Sequence, residues 1–192
     1  MNLARRVPPW CAILLSAIEE QSDMAVLRVV KHVNAAPAVV FAVATDLEHL
    51  ADFIHGIERI EQLTEGPMRV GTRFRETRKM FGRECTEEFQ VTAFDAPHRF
   101  TLEANTSGVL FASAHRFIPD IAGTLVELTL TMTPVSRLAK LMKPLSGLML
   151  APMKKCIEAD LEDLKAIAEQ RASADWQINP DAALHGYESS RV

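Results

Sequence analysis

Two repeating patterns of hydrophobic residues divide this chain, an alternating pattern in the middle and a helical pattern near the end. Apolar residues at every second position indicate a strand with one buried face, and steps of three and four indicate a helix. Because short turns such as the one at Gly82 join the strands, neighbours should pair antiparallel. The alternating segments predict strands over residues 26–33, 57–63, 71–81, 83–94, 98–106, 109–118 and 125–133.

Helices are predicted on both sides of the longest run of strands. A short apolar helix over residues 38–45 follows the first strand, and Asp46 is expected to cap a second short helix. The final helix is predicted over residues 136–170, although Pro144 and Pro152 should bend or interrupt its first half. This order predicts an α+β domain in which a curved antiparallel sheet wraps around one long helix and tends to enclose a cavity.

The predicted domain covers residues 25–170, with an extension before it and a polar tail after it. Residues 1–24 hold an arginine pair and a short apolar run, which weakly imitate a signal peptide but are interrupted by two prolines. A true start at Met24 and an amphipathic segment packed on the domain are the other two interpretations. Residues 171–192 lose the helical periodicity and are expected to form the tail.

The composition argues against several classes of protein. Hydrophobic residues make up 48% of the 192 residues, which is enough for a sizeable core in one domain. A net charge of −4 gives no case for nucleic acid as a partner, and no apolar stretch is long enough for integral membrane association. Three widely spaced cysteines argue against a disulfide framework or a zinc site and favour a reducing, cytoplasmic compartment. We therefore expect no metal and no other cofactor, and we make no prediction of oligomeric state.

Charged residues fall on the predicted inner face of two neighbouring strands. In strand 71–81 the inward set is Phe74 and Met80, with Glu76 and Arg78 between them. Burying one of these charges alone would be very costly, so they should pair, meet water or meet a ligand. The inward set of strand 83–94 comprises Cys85, Glu87, Phe89, Val91 and Ala93.

Two interpretations of these charges remain open. They form a structural ion pair at the edge of the sheet, or the phase is shifted by a bulge at the turn. Alternatively, they form the polar end of a mostly apolar pocket, in which Arg78 holds an anionic or carbonyl oxygen. Leu128 and Leu130 of the last strand, with Met149 and Met153 of the final helix, would complete the apolar walls. Ordinary core filling is the simpler interpretation of the methionines.

His115 raises the question of catalysis. It alternates with Phe111, Ser113 and Phe117, and if that set points inward, the imidazole lies in the cavity. There it could bond a ligand or transfer a proton near neutral pH. The opposite set is also apolar, so a surface histidine, or one satisfied within the protein, is the simpler interpretation.

Two other histidines and an aspartate could indicate a metal site. His49, Asp52 and His55 lie close together in the second short helix, but the sequence offers no further ligand for a metal. An exposed helical face is the preferred interpretation.

The predicted domain contains the segments VNAAPAVVFAVATDLEHLADF, GTRFRETRKMFGRECTEEFQVTAFDAPHRFTLE and LVELTLTMTP. These segments resemble the SRPBCC superfamily, also called START-like or Bet v 1-like, and within it the polyketide cyclase/dehydrase type. The resemblance covers about residues 25–170, although Phe53 stands where relatives often carry a tryptophan. It implies a helix-grip fold, in which seven antiparallel strands grip the C-terminal helix around a hydrophobic cavity.

Binding of a small hydrophobic or amphipathic ligand, lipid or polyketide-like, is the function that this interpretation favours. The predicted ligand-binding residues are Phe74, Glu76, Arg78, Met80, Glu87, Phe89, Leu128, Leu130, Met149 and Met153. The alternative is a metal-independent cyclase/dehydratase, in which Arg78 stabilises an enolate and His115 or Glu76 moves protons. A third interpretation is an interaction module whose apolar segment, residues 10–18, docks a partner.

Overall fold

The computed structural model describes residues 24–80, 82–137 and 143–178 of the chain. Strand β1 (Ala25–Val33) is followed by helices α1 (Pro37–Ala44) and α2 (Leu50–Phe53). The next strands are β2 (Ile57–Gln62), β3 (Arg73–Met80), β4 (Arg83–Asp95), β5 (Arg99–Thr106), β6 (Val109–Asp120) and β7 (Gly123–Pro134). Helix α3 (Lys143–Ile178) closes the described part.

All seven strands belong to one antiparallel sheet, in the order β1-β7-β6-β5-β4-β3-β2. Strands β2 to β7 are thus neighbours in chain order, and β1 pairs with the last strand. The turn between β5 and β6 has positive φ at both Ser107 and Gly108, the geometry that joins tightly twisted hairpins. Helix α3 packs against β1 and α1 on one face of the sheet. This is the predicted helix-grip arrangement.

The hydrophobic core lies between the sheet and the helices. Helix α1 is apolar on almost every face, and Val40, Phe41 and Val43 are buried, as its sequence predicts. The ring of Phe41 makes edge-to-face contacts with Phe94, Phe100 and Phe117, at centroid distances of 5.3, 5.9 and 5.2 Å. Such pairs add about 0.5–1.5 kcal/mol each beyond area burial, so this cluster joins α1 firmly to three strands.

A bulge in β4 corrects one predicted orientation. The pairing with β5 shifts between Val91 and Ala93, so one extra residue of β4 stands opposite β5. Beyond that point the alternation changes phase, because a single extra residue moves every later side chain to the other face. Ala93, expected inside, is exposed, and Phe94 packs against the core instead.

The predicted end of the last helix, at Gln170, is eight residues too early. Helix α3 continues to Ile178, and contacts beyond the predicted end anchor that continuation. Arg171 donates a hydrogen bond to Asp46, and its Cζ atom lies 5.6 Å from the ring centroid of Phe53. The next residue, Ala172, packs on the core. Pro152 is accommodated inside the helix.

Asp46 does not cap α2 as predicted. The helix begins only at Leu50, and its N-cap residue, His49, makes no capping bond through its side chain. Asp46 Oδ1 instead lies 2.9 Å from the Nδ1 atom of His49, while its other oxygen accepts the bond from Arg171. The carboxylate therefore ties the start of α2 to α3.

Candidate functional site

A cavity of about 450 Å³ lies between the inner face of the sheet and α3. Strands β3 to β7 supply one wall, α3 supplies the opposite wall, and α2 with the segments around it contributes the rest. Most of the lining is aliphatic or aromatic. A cavity this large is well above the size of ordinary packing defects, since protein interiors contain few voids larger than one water molecule.

The predicted pocket residues come together in this cavity. Phe74, Phe89, Leu128, Leu130 and Met153 all line it. Phe74 and Phe89 stack with their centroids 5.6 Å apart, as neighbours across β3 and β4. The polar candidates Glu76, Arg78, Glu87 and His115 line it as well. The side chains of Met80 and Met149 lie outside the described residues.

Two of the three predicted charges, Glu76 and Arg78, form an ion cluster with Asp160 of α3. Arg78 Nε donates to Glu76 Oε1 on the same strand, and Arg78 Nη1 donates to Asp160 Oδ2 at 2.7 Å. Glu76 and Arg78 thus form an ion pair and also line the cavity, and the interpretation that Arg78 holds a ligand oxygen stays a prediction. The cluster joins β3 to α3 across the cavity.

Burial and the ion pairs have opposite effects on the pKa values of Arg78 and Asp160. Burial opposes the charge of Arg78, but the neighbouring carboxylates outweigh burial and raise its pKa above the ordinary value. Burial raises the pKa of Asp160, and the favourable effect of Arg78 only partly offsets it. The guanidinium therefore stays charged while sharing its charge between two carboxylates, so the cluster carries a net negative charge when both are ionised.

A glycine makes room for this ion pair. A Cβ atom placed on Gly56, in the turn before β2, would lie 3.1 Å from both Arg78 Nη1 and Asp160 Oδ1. Contacts that close are tighter than ordinary van der Waals packing. The absence of a side chain at Gly56 therefore allows the guanidinium and the carboxylate to meet.

Glu87 stands directly opposite Glu76 in the pairing of β3 with β4. Thr106 Oγ1 of β5 donates a hydrogen bond to its carboxylate. Like charges at directly opposed strand positions are destabilising. Two carboxylates therefore point from adjacent strands into the same cavity, and only one of them contacts the guanidinium among the described residues.

His115 also faces the cavity, so the surface interpretation of this residue is wrong. Its Nε2 atom is hydrogen-bonded to Ser113 Oγ at 3.0 Å, and its ring stacks on Phe100 with a centroid distance of 4.3 Å. The surface that the ring retains lines the cavity. Burial lowers the pKa of His115 to about 4, so the imidazole is neutral at physiological pH.

The other candidates have structural partners. His49 bonds Asp46, and His55 Nδ1 lies 3.0 Å from Asp163 Oδ1 on α3. Within the described ranges, no group of three or more His, Cys, Asp or Glu side chains is arranged to hold a metal ion. Cys85 and Cys156 are free thiols on the cavity wall.

Sequence reasoning missed Asp160, the residue that links the polar cluster to the final helix. A signal was present, since Asp160 lies three residues after Ile157 and four before Leu164, both on the buried face of α3. An acidic residue on that apolar stripe is as unusual as the charges on β3 and β4. Phe100, Phe111 and Thr106 also line the cavity without having been singled out for it.

Fold and cavity together define a helix-grip protein with a mixed apolar and acidic interior. The family model described as polyketide cyclase / dehydrase and lipid transport matches residues 24–169. The chain belongs to that family. No match is found among curated proteins.

Solved structures share the fold at low sequence identity. A protein from Thermus thermophilus is 22% identical, with a TM-score of 0.62 over 77% of this chain and 99% of its own. The Zhui aromatase/cyclase from Streptomyces sp. R1128 is 20% identical, with a TM-score of 0.63 over 77% and 95%. A norcoclaurine synthase point mutant from Thalictrum flavum, in complex with a transition-state analogue, is 16% identical, with a TM-score of 0.58 over 77% and 96%.

Among the residues that the structure describes, no helix combines the length and the hydrophobicity needed to cross a bilayer.

Proposed function

We propose that this protein binds a small, largely apolar organic molecule, of lipid or polyketide-like character, in the cavity between the sheet and α3. The observation that carries the proposal is a cavity of about 450 Å³ with mostly apolar walls and a few convergent polar groups. Sites for small molecules typically have this size and this mixture of surfaces. The family description, which includes lipid transport, supports the same class of function.

Burial of apolar surface would supply most of the affinity. Phe74, Phe89, Leu128, Leu130 and Met153 offer the apolar contacts. At about 25 cal/mol per Å², covering ~150 Å² of apolar ligand surface contributes about 4 kcal/mol before the cost of ordering the ligand. Glu76, Arg78 and Glu87 would orient the polar end of the ligand.

The neutral state of His115 suits a binding role. A neutral imidazole can donate one hydrogen bond and accept another without placing a charge in the apolar cavity.

Cys85 and Cys156 are free thiols, in keeping with the reducing, cytoplasmic setting that we propose.

Native mass spectrometry of protein purified from its source host tests the proposal directly. We expect a bound species at near-stoichiometric occupancy, which organic extraction would release for identification. A thermal-shift panel of lipophilic molecules would show the same property in the ligand-free protein, because a ligand that binds only the folded state raises the melting temperature.

A matched pair of variants ties any binding to the cavity. Ala104→Phe on β5 places a phenyl group inside it, whereas Ala112→Phe on β6 places the same group on the opposite face of the sheet. We expect Ala104→Phe to abolish the thermal shifts and Ala112→Phe to retain them. No bound species and no shift with any panel member would contradict the proposal, and so would shifts that survive Ala104→Phe.

A second candidate function is a cyclase/dehydratase reaction in the same cavity. The hydrogen-bonded pair Ser113 and His115 on the cavity wall favours it, because a neutral imidazole can accept a proton from a reacting carbonyl compound. With a pKa of about 4, however, His115 is a weak base, since proton transfer is most efficient near the operating pH. Binding without reaction is therefore the leading proposal.

His115→Gln separates the two candidates. A carrier should keep its ligand with only a modest loss of affinity, since glutamine can still hydrogen-bond. An enzyme should lose turnover while binding continues. The assay is incubation with a short poly-β-ketone probe, followed by mass spectrometry for cyclised or dehydrated product. Product that forms with the wild type and disappears with the variant would establish the enzymatic alternative.

A further inference from the structure

The balance of charge in the cavity restricts the chemistry of the ligand, and this inference rests on the function proposed above. Among the described lining residues, three carboxylates, Glu76, Glu87 and Asp160, face one guanidinium, Arg78. The remaining titratable groups of the lining are the neutral His115 and two thiols. When all three carboxylates are ionised, the lining therefore carries an excess of negative charge.

Arg78 is poorly placed to receive an anionic ligand. Two edges of its guanidinium already donate to Glu76 and Asp160, on opposite walls of the cavity. Burial raises the pKa of Asp160 in spite of its contact with Arg78, and the nearby carboxylate of Glu76 acts in the same direction. A ligand carboxylate bound at the remaining Arg78 donors would add a further negative charge beside these carboxylates.

Glu87 is the group that a ligand could satisfy. Its partner among the described residues is the hydroxyl of Thr106, a neutral donor, and Glu76 stands opposite it on β3. Carboxylates away from bulk water are normally paired with a cation. A cation beside Glu87 would meet two neighbouring carboxylates and would reduce the excess charge of the cavity.

We propose that the natural ligand is an apolar molecule with a protonated amine, and that its ammonium group lies beside Glu87 at the acidic end of the cavity. The body of the ligand would then occupy the apolar part, against Phe74, Phe89 and the leucines of β7. An alkyl amine resembles the lysine side chain, whose pKa near 10.4 keeps it charged at neutral pH. Its three donors suit an arrangement of carboxylate acceptors.

Three probes of nearly the same shape test the proposal by isothermal titration calorimetry at pH 7.5. They are 2-(2-naphthyl)ethylamine, 2-(2-naphthyl)ethanol and 2-naphthylacetate, which present a cation, a neutral hydroxyl and an anion on one apolar body. We expect the amine to bind about tenfold or more tightly than the acetate, with the alcohol between them.

A matched pair of variants locates the effect. Glu87→Gln removes the inward carboxylate, and Glu84→Gln removes an exposed carboxylate from the same strand. We expect Glu87→Gln to reduce the amine-to-acetate affinity ratio by about threefold or more, while Glu84→Gln leaves it unchanged. An unchanged ratio in Glu87→Gln would overturn the assignment, because general attraction by an acidic protein would act equally in both variants.

The outcomes separate this inference from the function on which it rests. If the alcohol or the acetate binds as tightly as the amine, the ammonium assignment is wrong and the apolar binding function stands. If none of the three probes binds, both are overturned. Circular dichroism of each variant at the titration temperature ensures that a lost ratio is measured on folded protein.

Discussion

Replacement of His115 by glutamine should change how the stability of the protein depends on pH. The imidazole is held neutral inside the protein, with a pKa of about 4 against an ordinary value of 6.5. The unfolded chain therefore binds a proton at this residue between pH 6.5 and 4, and the folded chain does not. Stability that is present above pH 6.5 is lost as the pH falls through this window.

The size of the effect follows from the two pKa values. Each unit of difference corresponds to 1.36 kcal/mol, so the full difference between about 4 and 6.5 corresponds to roughly 3 kcal/mol. Between pH 7.5 and pH 5 most of it is realised, about 2 kcal/mol of unfolding free energy. His115→Gln removes this loss, because glutamine does not titrate.

Urea unfolding of the wild type and His115→Gln at pH 7.5 and pH 5 measures the difference. We expect the stability of the wild type relative to the variant to fall by about 2 kcal/mol between the two conditions. The test does not depend on whether the variant is more or less stable than the wild type at pH 7.5. It depends only on how the difference in their unfolding free energies changes with pH.

His49→Gln is the control of opposite sign. Its hydrogen bond to Asp46 raises the pKa of His49, so the stabilisation it provides is present at low pH and is lost as the pH rises through the folded pKa. The wild type should therefore gain on this variant as the pH falls. If the stabilities of the wild type and His115→Gln changed equally with pH, the reasoning would be refuted. The pKa of His115 would then be the same in the folded and the unfolded chain.

Two further predictions concern stability and need only urea midpoints at pH 7.5. Gly123→Ala should destabilise the protein by about 3 kcal/mol or more, because a Cβ atom there would lie 2.1 Å from the carbonyl oxygen of Val33. Its control, Gly71→Ala, is also at positive φ but in open space and should cost about 1 kcal/mol. Equal losses in the two variants would contradict the close approach at Gly123. Arg78→Met should lower the free energy of unfolding by about 3 kcal/mol, because it leaves two carboxylates without their cation. Arg75→Met, on the exposed face, should lower it by less than about 1 kcal/mol. A small effect of Arg78→Met would show that the cluster is well hydrated.

Much of the fold follows from local patterns, because alternation is unambiguous wherever one face is polar. In β7 the apolar set Val126, Leu128 and Leu130 leaves no choice of phase, and the structure has these residues inside. In β6 both sets are largely apolar, so the pattern alone does not orient His115. The orientation of that strand depends on its partners, which the local sequence does not describe.

The errors arise where tertiary contacts override local pattern. The bulge in β4 depends on its pairing with β5, and the residues around Thr92 do not predict it. The loss of periodicity predicts an early end of α3, yet Arg171 extends the helix through contacts with Asp46 and Phe53 from the far end of the chain. Alternation correctly identifies the charges of β3 and β4, whereas their partner Asp160 requires knowing which face of α3 meets the sheet.

The stacking of Phe100 on His115 makes one wall of the cavity continuous with the aromatic cluster around Phe41. Movement of that wall would disturb three strands and a helix, so we expect the wall to be rigid. The facing wall on α3 includes Met153, whose unbranched side chain adapts to irregular shapes. For the binding function proposed above, we therefore expect the sheet to discriminate between ligands by shape and the helix to tolerate variation among them.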